Sequence, residues 1–291
     1  MKMDSHSNKV LVTGADGFTG QYLLATLKEK GCEVVSLDAD LTDRVAVFDE
    51  VKEHSPDYVI HLAAVSFVGE GDWSKIYDVN VVGTINLLDS LLNCKKAFKN
   101  VLLASSATVY GNVDNEVLSE DICPKPINHY GCSKLTMELM AQNYIKKLPI
   151  VLTRPFNYTG IGHAEHFLIP KIVRAYAERK TCIELGNLNV FREFNDVRDV
   201  VNIYLSLLSK KTDENIVNVC SGRTVSLMQI IDFMDEIAGY KIEVSVNPKF
   251  VRKDEIIYLS GDVSKLNKLV QVEFKFNIKT TLEWMYKGLL K

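Results

Sequence analysis

The apolar residues come in short, nearly continuous runs that alternate with longer helix-like stretches. Strand-length runs lie at Lys9–Thr13, Glu33–Leu37, within Asp57–Ala64, at Val101–Ser105, at Pro149–Arg154 and at Ile216–Val219. The intervening pattern predicts helices over roughly Gly20–Lys30, Lys75–Asn93, Tyr130–Lys146 and Ile169–Arg179. Later helices are expected at Leu227–Ala238, capped by Ser226, and at Ile278–Leu290. Strands that are apolar throughout belong to a sheet covered on both faces, and alternation with helices makes that sheet parallel. The expected fold class is α/β.

The first run breaks into Gly14-Ala15-Asp16-Gly17-Phe18-Thr19-Gly20, three glycines spaced three apart, and then becomes helical. A strand that ends in such a turn aims unpaired helix N–H groups and a positive dipole end at a pyrophosphate. Gly14 permits the turn, Gly17 lets the backbone approach a phosphate, and Gly20 allows close helix packing, with Phe18 and Thr19 opening the helix. The second run ends in Asp38, eighteen residues beyond Gly20, where a carboxylate can accept adenosine ribose hydroxyls and repel a 2′-phosphate. NAD(H) is therefore favoured, with NADP(H) possible if Arg44 or Lys9 lies near in space. Asp40 and Leu41 can meet the adenine edge, whereas Thr42 or Asp43 can instead cap a helix. Leu62, Ala63 and Ala64 let a cofactor lie over the backbone, and His61 reads as a core histidine.

At 291 residues, 47% apolar and a net charge of -3, the chain can bury a large core as one domain or as a domain with a smaller lobe. No basic run asks for nucleic acid, and the apolar runs are too short to span a membrane. The polar N-terminus does not read as a signal peptide. Six scattered cysteines show no metal-ligand spacing, so reduced thiols in the cytoplasm and no metal site are expected.

Chemistry enters at Ser105-Ser106-Ala107-Thr108-Val109-Tyr110-Gly111, at a strand end, and at Tyr130-Gly131-Cys132-Ser133-Lys134, at a helix start. Tyr130 and Lys134, four apart, share a helix face, so the ammonium can lower the phenol pKa and make it a general acid or base. A solvated helix turn would carry the same pair. Ser106 can hydrogen-bond a reacting oxygen held near Tyr130.

These motifs, with Asp38, Leu62-Ala63-Ala64 and Asn80-Val81-Val82-Gly83-Thr84, stand in an order that resembles the extended short-chain dehydrogenases/reductases acting on nucleotide sugars. The resemblance implies a Rossmann-type doubly wound parallel sheet (mainly residues 1–155) and a smaller C-terminal α/β substrate-binding lobe (mainly 156–291). Segments near 190–220 would return to the first domain. It implies Ser106, Tyr130 and Lys134 as the catalytic triad and Asn80 near the cofactor. It also implies a nucleotide-diphosphate sugar held by Thr108, Asn157, Arg192, Arg252 and Glu255, and a homodimer. An Arg198–Asp199 surface ion pair is expected, as is a packed rather than reactive Cys220, and His163 and His166 read as surface or pocket-lining residues.

Ala107 and Thr108 stand where a 4,6-dehydratase needs an extra acid and base, which argues against dehydration. Ser-Ala-Thr-Val-Tyr-Gly is an epimerase-like spelling, while the stretches Gly186–Asp199 and Asn247–Glu255 resemble GDP-4-keto-6-deoxy-D-mannose reductases. Reduction of the C4 ketone of an NDP-4-keto-6-deoxyhexose leads. A 4-epimerase with tightly bound NAD is the alternative, and a non-catalytic dinucleotide-sensing protein is the remote one.

Overall fold

The computed structural model describes residues 8–66, 72–94, 96–113, 117–212, 215–251, 256–271 and 273–290. The first alternation becomes β1 (Lys9–Thr13), α1 (Phe18–Glu29), β2 (Glu33–Leu37), α2 (Arg44–His54) and β3 (Tyr58–His61). Next come α3 (Ser74–Tyr77), a π-helical stretch (Asp78–Gly83), α4 (Thr84–Asn93), β4 (Asn100–Ala104), α5 (His129–Ala141) and β5 (Ile150–Pro155). The chain continues through β6 (Tyr158–Thr159), α6 (Leu168–Ala177), β7 (Cys182–Leu185), β8 (Phe191–Glu193), β9 (Asn195–Asp196), α7 (Val197–Leu208) and β10 (Ile216–Val219). It ends with β11 (Thr224–Ser226), α8 (Leu227–Ala238), β12 (Glu243–Val246), β13 (Tyr258–Leu259), α9 (Ser264–Leu269) and α10 (Ile278–Leu289).

The main sheet is parallel, in the order β10-β5-β4-β3-β1-β2. Side chains alternate across a strand, so Val10 and Val12 face Leu23 and Leu27 of α1 with Val200, Tyr204 and Leu208 of α7. Leu11 faces the opposite layer, where Val47 and Val51 of α2 meet Leu87 and Leu91 of α4 and Met137 of α5. Both faces are covered, as the unbroken apolar runs require. A separate core joins α6, α8 and α10 through Ile172, Tyr176, Ile230, Met234 and Leu282.

Because β2 lies on one side of β1 and β3 on the other, the chain order reverses at β1. A crevice therefore opens beyond the carboxyl ends of β1 and β3.

Several local expectations change. The helix expected through Lys146 ends at Ala141, and the chain turns, with Tyr144 N–H donating to Ala141 C=O and Lys147 N–H to Tyr144 C=O. Residues 75–93 are helical throughout but widen into the π-helical stretch, where the Asn80 side chain is buried. Helix α7 begins at the end of the Gly186–Asp199 stretch and continues through residues for which no helix is expected above. The apolar spacing of Val197, Val200, Val201, Tyr204 and Leu208 was its signal. Asp43, not Thr42, caps α2, accepting from Val45 N–H (3.0 Å) and Ala46 N–H (3.1 Å). Ser226 caps α8 in a capping box with Gln229. His61 is a satisfied core residue between the hydroxyls of Thr13 (2.7 Å) and Thr84 (2.8 Å). Burial holds its pKa down at about 3.

Candidate active site

At the crevice, Gly14 adopts φ +66°, and a Cβ there would lie 2.8 Å from Ala63 N. A Cβ on Gly20 would fall 2.3 Å from the Gly14 carbonyl oxygen, so this glycine seats α1 on the turn itself. Gly17 precedes α1 in extended conformation and offers no side-chain cap, which leaves first-turn N–H groups for an anion. A backbone cradle closed to Cβ atoms and headed by an uncapped helix suits a dinucleotide pyrophosphate. Gly14, Gly17, Phe18, Thr19, Gly20, Leu62 and Ala64 all line one cleft of about 1270 Å³.

Asp38 is exposed at the tip of β2, and the register Thr13↔Leu37 brings it level with Gly14. Asp38, Asp40 and Leu41 are not on the cleft lining. Asp40 stays within its own turn, where the N–H and hydroxyl of Thr42 hold its carboxyl below the usual range. Leu41 is buried in the α2–α4 core because its apolar side chain packs there, and its carbonyl accepts from Asn86. Ala63 lies behind the glycine turn, its N–H donating to Thr13 Oγ1 (3.1 Å). Asn80 is also set back from the cleft. It accepts from Val65 N–H (2.8 Å) and donates to Val65 C=O (3.0 Å) and Ser133 Oγ (3.0 Å), fixing the loop after β3 to α5.

Ser106 follows β4 and begins a tight helical turn, Ala107–Tyr110. Its Oγ accepts from Thr108 N–H (3.2 Å) and from Thr108 Oγ1 (2.9 Å), so its own hydrogen is directed elsewhere. Opposite, Asn128 caps α5 through Gly131 N–H (2.8 Å). Gly131 allows a contact that a side chain would block, since a Cβ would sit 2.8 Å from the Thr108 carbonyl oxygen. That approach brings the Tyr130 phenol into hydrogen-bonding reach of Ser106. Lys134, one turn on, is 2% exposed and donates to the Ala104 carbonyl (2.7 Å) at the end of β4.

The electrostatics differ from the sequence expectation. Burial, reinforced by the neighbouring Tyr158 phenol, pushes the Tyr130 pKa above its ordinary value despite the hydrogen bond with Ser106. The phenol therefore stays protonated at neutral pH. Burial also drives the Lys134 pKa down to about 8, with Glu138 opposing the shift. Desolvation outweighs the i,i+4 charge effect on this helix.

On the substrate side, Asn157, Thr108 and Arg192 line the cleft together with His163 and His166. The Arg192 guanidinium donates to the carbonyls of Phe191 (2.9 Å), Ile257 (3.0 Å) and Ile256. Arg252 and Glu255 lie outside the described residues. The expected Arg198–Asp199 pair is not formed. Arg198 forks onto Asp196 and is sandwiched between the rings of Phe276 and Trp284, while the buried Asp199 accepts from Phe276 N–H. Cys220 is fully buried, and burial pushes its thiol pKa up, as a packed cysteine requires.

Two features escaped the sequence reading. Tyr158 follows the candidate substrate residue Asn157, and its hydroxyl meets Thr19 Oγ1 (2.8 Å) while its ring stacks on Phe18, so β6 closes onto the glycine turn. Glu138, four residues beyond Lys134, forms a buried pair with Arg154 (2.6 Å) and accepts the Ser105 hydroxyl (2.5 Å). The continuing i,i+4 spacing on α5 was its signal.

Residues 10–220 match the model of the NAD dependent epimerase/dehydratase family. The chain is 38% identical to the GDP-6-deoxy-D-talose 4-dehydrogenase of Aggregatibacter actinomycetemcomitans, over 97% of this chain and 98% of that protein. It is 31% identical to the GDP-6-deoxy-D-mannose reductase of Pseudomonas aeruginosa, over 95% of each. The solved structure of RMD from Pseudomonas aeruginosa complexed with NADPH superimposes with a TM-score of 0.88 at 29% identity, covering 98% of both chains.

Proposed function

The chain belongs to the NAD-dependent epimerase/dehydratase family, as an NAD(P)-dependent oxidoreductase, and from that premise we propose that it reduces the C4 ketone of a GDP-4-keto-6-deoxyhexose. Talose and mannose differ only at C4, so the two relatives' names describe alcohols of one ketone. The greater identity to the talose enzyme favours the talo configuration in the product.

One observation carries the reading: a half-buried Tyr130, whose phenol desolvation keeps protonated, faces Ser106 in the cleft that begins at the glycine cradle. Ala107 is buried and the Thr108 hydroxyl is committed to Ser106, so neither supplies the acid–base pair for dehydration. Bound NAD(P)H supplies a hydride to C4. Ser106, with its lone pairs engaged by Thr108, donates its O–H to the ketone oxygen and holds it near Tyr130. Tyr130 delivers its phenolic proton to that oxygen as negative charge develops, completing the alcohol. The Lys134 ammonium stabilises the phenolate left behind and, tethered to Ala104, keeps α5 registered against the strand that carries Ser106. Asn157 lines the cleft where the substrate diphosphate would lie, and Arg192 lines it with its guanidinium already engaged by the carbonyls of Phe191, Ile256 and Ile257. A cytoplasmic homodimer through the helical segments near residues 75–93 and 130–146 is part of this reading. Val82 and Leu139, on the segments concerned, are exposed apolar residues. Among the described residues, no helix is long and apolar enough to cross a membrane.

Purified enzyme mixed with NADH or NADPH and either GDP-4-keto-6-deoxymannose or dTDP-4-keto-6-deoxyglucose tests the assignment. Stoichiometric coenzyme oxidation with the guanosine sugar and formation of the GDP-6-deoxy-talose are expected. No oxidation, together with interconversion of a C4 alcohol pair by enzyme that retains NAD, would replace this reading with a 4-epimerase.

A pH profile follows from Lys134. Its pKa in the free enzyme lies near 8, below the ordinary lysine value, so the ammonium is present below that pH and lost above it. Tyr130, shifted upward, keeps its proton throughout this range. The kcat/KM for reduction should be flat below pH about 8 and fall about ten-fold per unit above it, since kcat/KM reports free-enzyme groups. A profile flat to about pH 10 would mean that the Lys134 charge is not needed.

A further inference from the structure

The tip of β2 holds a second carboxylate besides Asp38. Glu50, on α2, reaches back so that Oε1 accepts the N–H of Asp38 (2.8 Å) and Oε2 that of Ala39 (2.7 Å). Its side chain is 20% exposed, and His54 Nε2 lies 3.6 Å from Oε1. Because β1 and β2 pair in parallel with Thr13 beside Leu37, these two N–H groups lie level with the glycine turn. A dinucleotide whose pyrophosphate rests on that turn places its adenosine ribose at this tip.

A 2′-phosphate on that ribose needs hydrogen-bond donors and a cation. The main-chain donors are already taken, and neither cation that the sequence suggested is aimed at the tip. The tip's main-chain donors are filled by Glu50. Of the two cations the sequence suggested, Lys9 starts β1 at the opposite end of the sheet and pairs with Glu33 (2.9 Å). Arg44 faces α4, where it pairs with Asp89 (3.4 Å). Asp38 remains exposed with its own negative charge. We infer that Glu50 is a specificity-determining residue that makes this site select NADH over NADPH, by occupying two donors a 2′-phosphate would use and by doubling the negative charge at the ribose end. A related fold accepts NADPH, as the Pseudomonas structure shows, so the selection resides in side chains and not in the architecture. The inference depends on the dinucleotide site and not on which sugar is reduced.

Dissociation constants for NADH and NADPH, measured by titration calorimetry on wild type, Glu50→Ala, Glu50→Gln and Asp38→Ala, test it without any turnover. Wild type should bind NADH at least about ten-fold more tightly than NADPH, a ratio that two like charges near a phosphate readily supply. Glu50→Ala should shrink that ratio by about ten-fold, chiefly by tightening NADPH. Glu50→Gln, which keeps the side-chain length and removes the charge, should move the ratio in the same direction. Asp38→Ala should instead weaken NADH. Equal wild-type affinities would overturn the inference. So would Glu50 variants that weaken both dinucleotides alike, because Glu50 would then only staple α2 to β2. Misfolding weakens both ligands together and cannot imitate a changed ratio. A failed reductase assay would leave these constants, and the inference, standing.

Discussion

Tyr130→Phe lowers the turnover of ketone reduction by about 10²–10⁴-fold, the range for loss of a positioned general acid, with dinucleotide affinity nearly unchanged. The substitution removes one oxygen and keeps the ring that packs at the start of α5. Ser106 is a poor substitute as the acid, because an aliphatic hydroxyl releases its proton far less readily than a phenol. Single-turnover reduction followed alongside NADH titration separates chemistry from binding. If Tyr130→Phe retains turnover within a few-fold while binding coenzyme, the proton comes from elsewhere and the assignment fails.

Arg154→Met destabilises the fold by about 3–5 kcal/mol, the cost of leaving a buried charge without its partner. Arg154 and Glu138 are each 3% exposed at their side chains. The guanidinium grips both carboxylate oxygens, Nε to Oε1 at 3.0 Å and Nη2 to Oε2 at 2.6 Å. Removing it leaves Glu138 with the Ser105 hydroxyl and the Lys134 charge close by. Urea unfolding should show the loss, and the melting temperature should fall by about 5–8 °C for a chain of this size. The double variant Glu138→Met/Arg154→Met should recover part of it, because the carboxylate and guanidinium leave together while the buried Lys134 ammonium loses a neighbouring charge and the Ser105 hydroxyl its acceptor. A single-variant loss under about 1 kcal/mol would show that Glu138 is solvated or neutralised once its partner is gone. Activity is a second readout: Ser105 and Lys134 tie the strand end to α5, so a displaced Glu138 disturbs the Ser106–Tyr130 approach.

Much of this site was legible in advance, and the reasons are local. The three glycines stand immediately after an apolar strand, and that juxtaposition forces the turn wherever the rest of the chain goes. Tyr130 and Lys134 share a face through helical spacing alone. Helix α7 was equally legible from its apolar spacing, but attention to Arg192 and the stretch ending at Asp199 passed over it. The direction of the Tyr130 shift was not legible. Spacing reveals the neighbouring ammonium but not the depth at which both groups lie, and depth decides the sign. Arg192 illustrates the same limit: its type announces a forked donor, and only the fold shows the fork turned onto the carbonyls of Ile256 and Ile257.

By itself the sequence determined the alternating strands and helices, the glycine turn after β1, the acid at the end of β2 and the shared helix face of Tyr130 and Lys134. Each depends on backbone conformation or on side chains within a few positions of one another. The tertiary structure decided which groups are charged, which donors are already taken and which carboxylates share a neighbourhood. Glu50 meets Asp38 and Ala39, Arg154 meets Glu138, and Ser106 meets Tyr130 only because packed elements bring together residues far apart in the chain. Desolvation and hydrogen-bond competition exist only once those elements have closed on one another.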